Sequence, residues 1–187
     1  MDQIFTLRSI IEQSIEWKTP LYINFIDFKK AFDSIHRDTV WKIVKAYGVP
    51  DKIVTLMKCF YTKFECAVLL NNKETDWFTV NSGVRQGCII SPILFLIAID
   101  WVMRKTTDSK RGITRSIFTN LEDLDFGDDI ALLSSRHSDM QKKTQSLSHF
   151  ASQLGLQLNT NKTEEMRFNV TSSNKPSKAF LTSIKLM

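Results

Sequence analysis

Apolar residues recur at helical spacing from Ile4 to Trp17, through Leu7, Ile11 and Ile15, which predicts an amphipathic helix ended by Pro20. Leu21 to Asp27 (LYINFID) is rich in apolar β-formers and predicts a buried strand. Asp38 is placed to cap a helix running to Tyr47, with Gly48 as its stop, and Pro50 and Asp51 open another to about Tyr61. Cys66 to Leu70 and Trp77 to Val80 flank the polar stretch Asn71-Asn72-Lys73-Glu74, a hairpin pattern. Ser91 and Pro92 suit the cap and first position of a helix to about Thr106. Leu121 to Phe126 and Ile130 to Ser134 are short apolar runs separated by Gly127-Asp128-Asp129, a second hairpin. Ser138 is placed to cap a helix whose apolar face is Leu147, Phe150, Ala151 and Leu154, closed by Gly155. Leu156 to Phe168 then reads as strand, turn over Asn159 to Lys162, and strand. From Asn169 the chain is polar and rich in Ser and Lys, so 169–187 is expected to be a disordered tail. Helices mixed with antiparallel hairpins predict the α+β class, an antiparallel sheet with helices packed on one face.

Composition narrows the partners. A chain of 187 residues with 43% hydrophobic and 24% charged positions has the make-up of one globular domain. The formal charge of +5 is compatible with nucleic acid, and equally with a solvated basic surface. Cys59, Cys66 and Cys88 form no CxxC pair and only three histidines accompany them, which argues against structural zinc and for reduced thiols in an intracellular protein, nuclear or cytoplasmic. The longest apolar run, Ile89 to Val102, is interrupted by Ser91, Pro92 and Asp100, and falls short of the roughly 20 residues a membrane helix needs. No signal peptide is visible, and no membrane partner is expected.

Two places put Asp where it is costly. Asp27 ends an apolar strand, and Asp128 and Asp129 sit at the tip of an apolar hairpin. Adjacent carboxylates repel one another, and a third nearby raises the cost. A divalent cation removes it, since Mg²⁺ takes carboxylate oxygens and fills its shell with water and substrate phosphates. Two such ions about 3.5–4 Å apart can activate an attacking hydroxyl and stabilise a leaving pyrophosphate. Taken alone, Gly-Asp-Asp is more often a solvated turn, and a lone Asp at a strand end a cap. The company these residues keep decides between the readings.

Phe25-Ile-Asp27-Phe28-Lys-Lys-Ala31-Phe32-Asp33 resembles the reverse transcriptase motif that supplies the first metal-binding Asp. Ser82-Gly83-Val84-Arg85-Gln86-Gly87-Cys88-Ile-Ile-Ser91-Pro92 resembles the nucleotide-pocket loop and following helix of that family. Phe126-Gly127-Asp128-Asp129 is similar to its acidic hairpin, and Gly155-Leu-Gln-Leu-Asn159-Thr-Asn-Lys162 to the motif after it. The four occur in the family's order over residues 3–168, and their wording is most similar to retrotransposons without long terminal repeats (non-LTR). The resemblance implies the palm of a right-hand polymerase over residues 1–168, without fingers and thumb, that copies RNA into DNA with two Mg²⁺ ions, Mn²⁺ being able to substitute.

The same resemblance implies roles. Asp27 and Asp128 would be the main metal ligands, with Asp129 beside them and the backbone carbonyl of Phe28 facing a metal. Phe32 would lie beneath the incoming sugar, a flat ring leaving no room for a 2′-hydroxyl. Gln86 would touch nucleotide or template, Gly83 and Gly87 bending its loop. Arg85 would meet phosphate or remain solvated, and Lys162 would reach the nucleotide's phosphates or serve only the turn. Asp33 and Asn159 are expected to be structural. The partners implied are an RNA template, a DNA primer and dNTPs. Two departures stand out. Position 127 is Gly where relatives of this type usually carry Ala, a substitution also similar to RNA-copying RNA polymerases. Those enzymes, however, usually place an Asp five residues after the first metal ligand, where this sequence has Phe32. An inactive retroelement fragment is the other alternative, since one helix alone precedes Asp27 and no primer-gripping hairpin pattern follows Phe168.

Overall fold

The computed structural model describes residues 3–116 and 119–170. In chain order its elements are α1 (Gln3–Trp17), β1 (Leu21–Ile26), α2 (Ala31–Ser34), α3 (Arg37–Ala46), α4 (Asp51–Cys59), β2 (Glu65–Cys66), β3 (Leu69–Leu70), β4 (Lys73–Glu74), β5 (Phe78–Thr79), α5 (Ile90–Thr107), β6 (Ile113–Ser116), β7 (Thr119–Leu121), β8 (Asp123–Phe126), β9 (Asp129–Ser134), α6 (His137–Gln153) and β10 (Glu164–Phe168). Four strands form the central antiparallel sheet in the order β10-β1-β9-β8. The expected α+β class with an antiparallel sheet is what the chain adopts.

β1 is interior because both of its faces are apolar. Tyr22 and Ile26 point to one side, where Ile130 and Leu132 of β9 join them against α3, α5 and α6 through Val40, Val44, Leu94, Ala98, Val102, Met140, Leu147 and Ala151. Leu21, Ile23 and Phe25 point to the other side, where Ala131 and Leu133 meet Leu7, Ile10 and Ile11 of α1. The helices therefore gather on one face as expected, and α1 also covers the opposite face. The stripe α1 buries is Leu7, Ile10 and Ile11 rather than the expected row, for Ile4 and Ile15 at the helix ends are exposed. The 66–80 hairpin folds as two short pairs, β2 with β5 and β3 with β4, around a turn at Asn71-Asn72, both at positive φ. Among the described residues no helix is long and apolar enough to cross a membrane.

Three predicted caps are replaced. α3 starts one residue before Asp38, on His36, and α6 starts before Ser138, on Arg136; neither has a side-chain cap. α5 begins at Ile90, so Ser91 lies inside it, and its hydroxyl instead bonds the Tyr61 hydroxyl at 2.9 Å in the core. A buried polar pair outranks a solvated cap because leaving either hydroxyl unpaired inside costs about 1–3 kcal/mol. Lys143 is buried on α6, where its ammonium meets Glu122 Oε2 at 2.7 Å and the carbonyls of Leu133 and Glu122 at 2.8 and 2.9 Å. Asn169, where the tail is expected to begin, donates from Nδ2 to Ser14 O (2.6 Å) and Thr19 O (3.2 Å) at the end of α1. The rest of the expected tail, 171–187, lies outside the described residues.

Candidate active site

β1 and β9 bring the acids to neighbouring strand ends. Their register ends at Ile26 opposite Ile130, and one step further along lie Asp27 and Asp129. In the β8–β9 hairpin Phe126 pairs with Asp129, leaving Gly127 and Asp128 as the two turn residues. Gly127 has φ +68 while Asp128 is not at positive φ, the pattern of a hairpin turn that takes Gly first. This accounts for Gly in place of Ala at that position, since an L side chain there is strained. Asp128 and Asp129 are solvent-exposed and Asp27 is half-buried.

Asp27 is held from the far side by the loop before β10. Asn159 donates from Nδ2 to Asp27 Oδ2 at 2.9 Å, and from its backbone N–H to Asp27 O at 2.8 Å. Phe28 pairs with Leu158 across an isolated bridge, and Lys29 N–H donates to Gln157 O at 2.8 Å. Asn159, expected to be merely structural, thus orients the carboxylate and leaves Asp27 Oδ1 for another partner. Lys162 is exposed in the same turn, bordering a hollow of about 640 Å³ shared with Phe28, Lys29, Lys30 and Asn159.

The carboxylates are hard oxygen donors and suit a hard divalent cation. Among the described residues, however, no three His, Cys, Asp or Glu side chains converge closely enough to hold one unaided.

The loop expected to line a nucleotide pocket is tied to the segment that follows β1. Phe32 stacks on Phe95 of α5, ring centroids 4.3 Å apart and planes 11° from parallel, so its ring is fixed by the core. Val84 N–H donates to Phe32 O (2.7 Å), Gly83 N–H to Ile35 O (2.8 Å), Ser82 Oγ to Asp33 O (3.1 Å) and Gln86 Nε2 to Asp33 Oδ1 (3.0 Å). Gly83, at φ +76, is obligatory here, because a Cβ would stand 2.7 Å from the backbone of Phe32 and Asp33. Gly87 also lies at positive φ, in open space. Arg85 is exposed with its guanidinium 5.1 Å from the Phe64 ring centre.

The structure therefore collects Asp27, Asp128 and Asp129 at adjoining strand ends, with Asn159 and Lys162 behind Asp27. Phe32, Gln86 and Gly87 are gathered around one loop. Sequence reasoning missed Arg37, which holds that loop, and the work of Asn159 and Asp33. For Asn159 and Asp33, their placement in two of the motifs was the one available signal. Burial pulls the Arg37 guanidinium below its ordinary range. On β8, burial first and then the charge of Asp125 push the Asp123 carboxyl up to about 6.

Known proteins share both sequence and fold with this chain. A family model, reverse transcriptase (RNA-dependent DNA polymerase), matches residues 2–181. A retrovirus-related Pol polyprotein from the type-1 retrotransposable element R2 of Popillia japonica is 25% identical over 73% of this chain and 23% of its own length. A retrovirus-related Pol polyprotein from the type-2 retrotransposable element R2DM of Drosophila melanogaster is 28% identical over 75% of this chain and 13% of its own. This chain thus spans under a quarter of these relatives. Among solved structures, an apo telomerase from Candida tropicalis superposes with TM-score 0.67 at 20% identity, covering 94% of this chain and 36% of that one, which shows a shared fold. This chain belongs to the reverse transcriptase (RNA-dependent DNA polymerase) family.

Proposed function

We propose that residues 1–168 are the palm of an RNA-directed DNA polymerase acting inside the cell, in nucleus or cytoplasm, with an RNA template, a DNA primer and dNTPs as partners. The observation that carries this reading is the β1–β9 register, which sets Asp27 beside the Asp128-Asp129 tip within one sheet. Asp27 and Asp128, with Asp129 adjacent and the Phe28 carbonyl alongside, would hold Mg²⁺, or Mn²⁺ in its place. When bound, the two ions lower the cost of charge on the attacking primer 3′-oxygen and the departing pyrophosphate. The chain's own residues do the rest. Asn159 fixes the direction of the Asp27 carboxylate, and Phe32, braced by Phe95, lies under the sugar and excludes a 2′-hydroxyl. Gln86 presents the loop to nucleotide or template, Gly87 gives it its bend, and Lys162 and Arg85 supply positive charge for phosphate oxygens. Positioning of this kind accounts for much of the rate in such transfers.

Because the chain covers 23% or less of the relatives cited, extension is expected of a longer polypeptide carrying it. In that polypeptide Asp128→Asn should abolish primer extension on an RNA template, by at least about a thousandfold, while duplex binding persists. Unaltered extension by the variant would remove the reading. The bare chain is tested by metal titration, where Mg²⁺ or Mn²⁺ should raise Tm.

A further inference from the structure

Arg37, the first residue of α3, makes contacts that its position in sequence does not suggest. Its guanidinium donates from Nε to Gly83 O at 2.7 Å, from Nη1 to Val80 O at 2.8 Å and from Nη2 to Ser82 O at 2.9 Å. All three nitrogens of the fork are thus spent on carbonyls of one four-residue stretch, the entry to the Ser82–Gly87 loop. Among the described residues no carboxylate pairs with it. Its charged head lies 5.1 Å from the ring centre of Tyr61 and 5.6 Å from that of Phe64, so aromatic faces stand where a counter-ion would. An arginine kept only for surface solvation would not commit all three guanidinium nitrogens to neutral backbone acceptors.

The loop this fork grips is the one bonded to the Phe32–Ile35 backbone. The carbonyl of Phe32 accepts from Val84, and Asp33 receives both Ser82 and Gln86. Phe32 and Gln86 are therefore parts of one body, and Arg37 is the bolt between that body and α3. Gly83 lets the two backbones approach closely, and its N–H ties the loop to Ile35 O but not to α3.

We propose that Arg37 is a positioning residue for nucleotide selection: by fastening Val80, Ser82 and Gly83 it fixes the gap between the Phe32 ring and Gln86, and so the exclusion of ribonucleotides. The proposal rests on the nucleotide-pocket reading of Phe32 and Gln86 given above. It does not involve the metal ligands, so it predicts a change in sugar choice and nucleotide affinity rather than a uniform loss. A lysine at 37 would keep the charge and part of the stem packing but cannot fork across three carbonyls.

The test is primer extension on an RNA template by the longest natural polypeptide carrying this segment, with dNTPs and NTPs compared for the parent, Arg37→Ala, Arg37→Lys and the remote Arg8→Ala. For Arg37→Ala the dNTP KM should rise about tenfold and the dNTP-over-NTP ratio of kcat/KM should fall about tenfold, with kcat for dNTP changed less. Arg37→Lys should fall between it and the parent, and Arg8→Ala, whose partner is Glu12 on the exposed side of α1, should match the parent. Equal fractional losses for both sugars, or an unchanged ratio in a folded variant, would overturn the proposal. If Arg37→Ala does not fold, Arg37→Lys is judged by the same ratio. A parent that extends no primer removes the polymerase reading, and this proposal with it.

Discussion

Two glycines of one loop allow steric fit to be separated from backbone conformation. Gly83 and Gly87 have nearly the same φ, +76 and +79, so an alanine at either carries a similar conformational penalty, about 1–2 kcal/mol. Their surroundings differ. A Cβ on Gly83 would lie 2.7 Å from Asp33 Cα, Asp33 O and Phe32 O, all backbone atoms that cannot swing aside, whereas a Cβ on Gly87 meets nothing within 4 Å. Forcing the backbones apart adds a packing cost of about 1–3 kcal/mol. Gly83→Ala should therefore cost about 2–5 kcal/mol and Gly87→Ala about 1–2 kcal/mol. For a chain of this size each kcal/mol moves Tm by about 2–4 °C, so the two should lie about 10 °C and about 4 °C below the parent. Thermal and urea unfolding of both variants in one background would measure this. Losses equal within about 0.5 kcal/mol would refute the close approach of the loop to the Phe32–Asp33 backbone.

Other expectations follow from buried charge and tied ends. Asp123 holds its proton more tightly when folded, its carboxyl rising from 3.8 to about 6, so its stabilising effect is complete below about pH 4 and is lost as pH rises through about 6, by about 3 kcal/mol at most. Urea midpoints from pH 4 to 7 should show that fall in the parent and a flatter profile in Asp123→Asn. Lys143→Met should cost about 3–5 kcal/mol by leaving the Glu122 carboxylate with the Arg111 N–H as its remaining partner, and a Lys143→Met, Glu122→Leu double variant should recover part of it in the same measurement. Asn169→Ala removes the donors to Ser14 O and Thr19 O and should cost about 1–2 kcal/mol, with faster amide exchange at the C-terminal turn of α1.

The sequence disclosed what depends on local pattern. β1 was legible because a run of β-formers that is apolar but for Asn24 is suited to burial on both faces, and the acidic hairpin because Gly-Asp-Asp precedes the apolar run Ile130 to Leu133. The cap at Ser91 failed because its hydroxyl pairs with Tyr61 in the core, and those at Asp38 and Ser138 because their helices start one residue earlier. Lys143 lies on a largely polar helix, and its burial depends on the Glu122 carboxylate and on the carbonyls of Leu133 in β9 and of Glu122 just before β8. Arg37 was hidden for a similar reason, since its acceptors are backbone oxygens more than forty residues away and carry no side-chain signature. Motif order made adjacency of the acids an expectation and no more, because register lies in the pairing of strands.

The position of β1 also governs how the molecule is assembled. Ile23 finds its neighbours at Leu133 and Met166, so a strand made early in this segment is bordered by two made more than a hundred residues later. Until then its apolar faces and both hydrogen-bonding edges are open, the condition in which nascent chains stick to one another. Distant pairings of this kind also slow the search for the native state. A chain interrupted before Phe168 would lack one border of the strand that carries Asp27 toward the hairpin, and would be expected to need chaperone protection during synthesis.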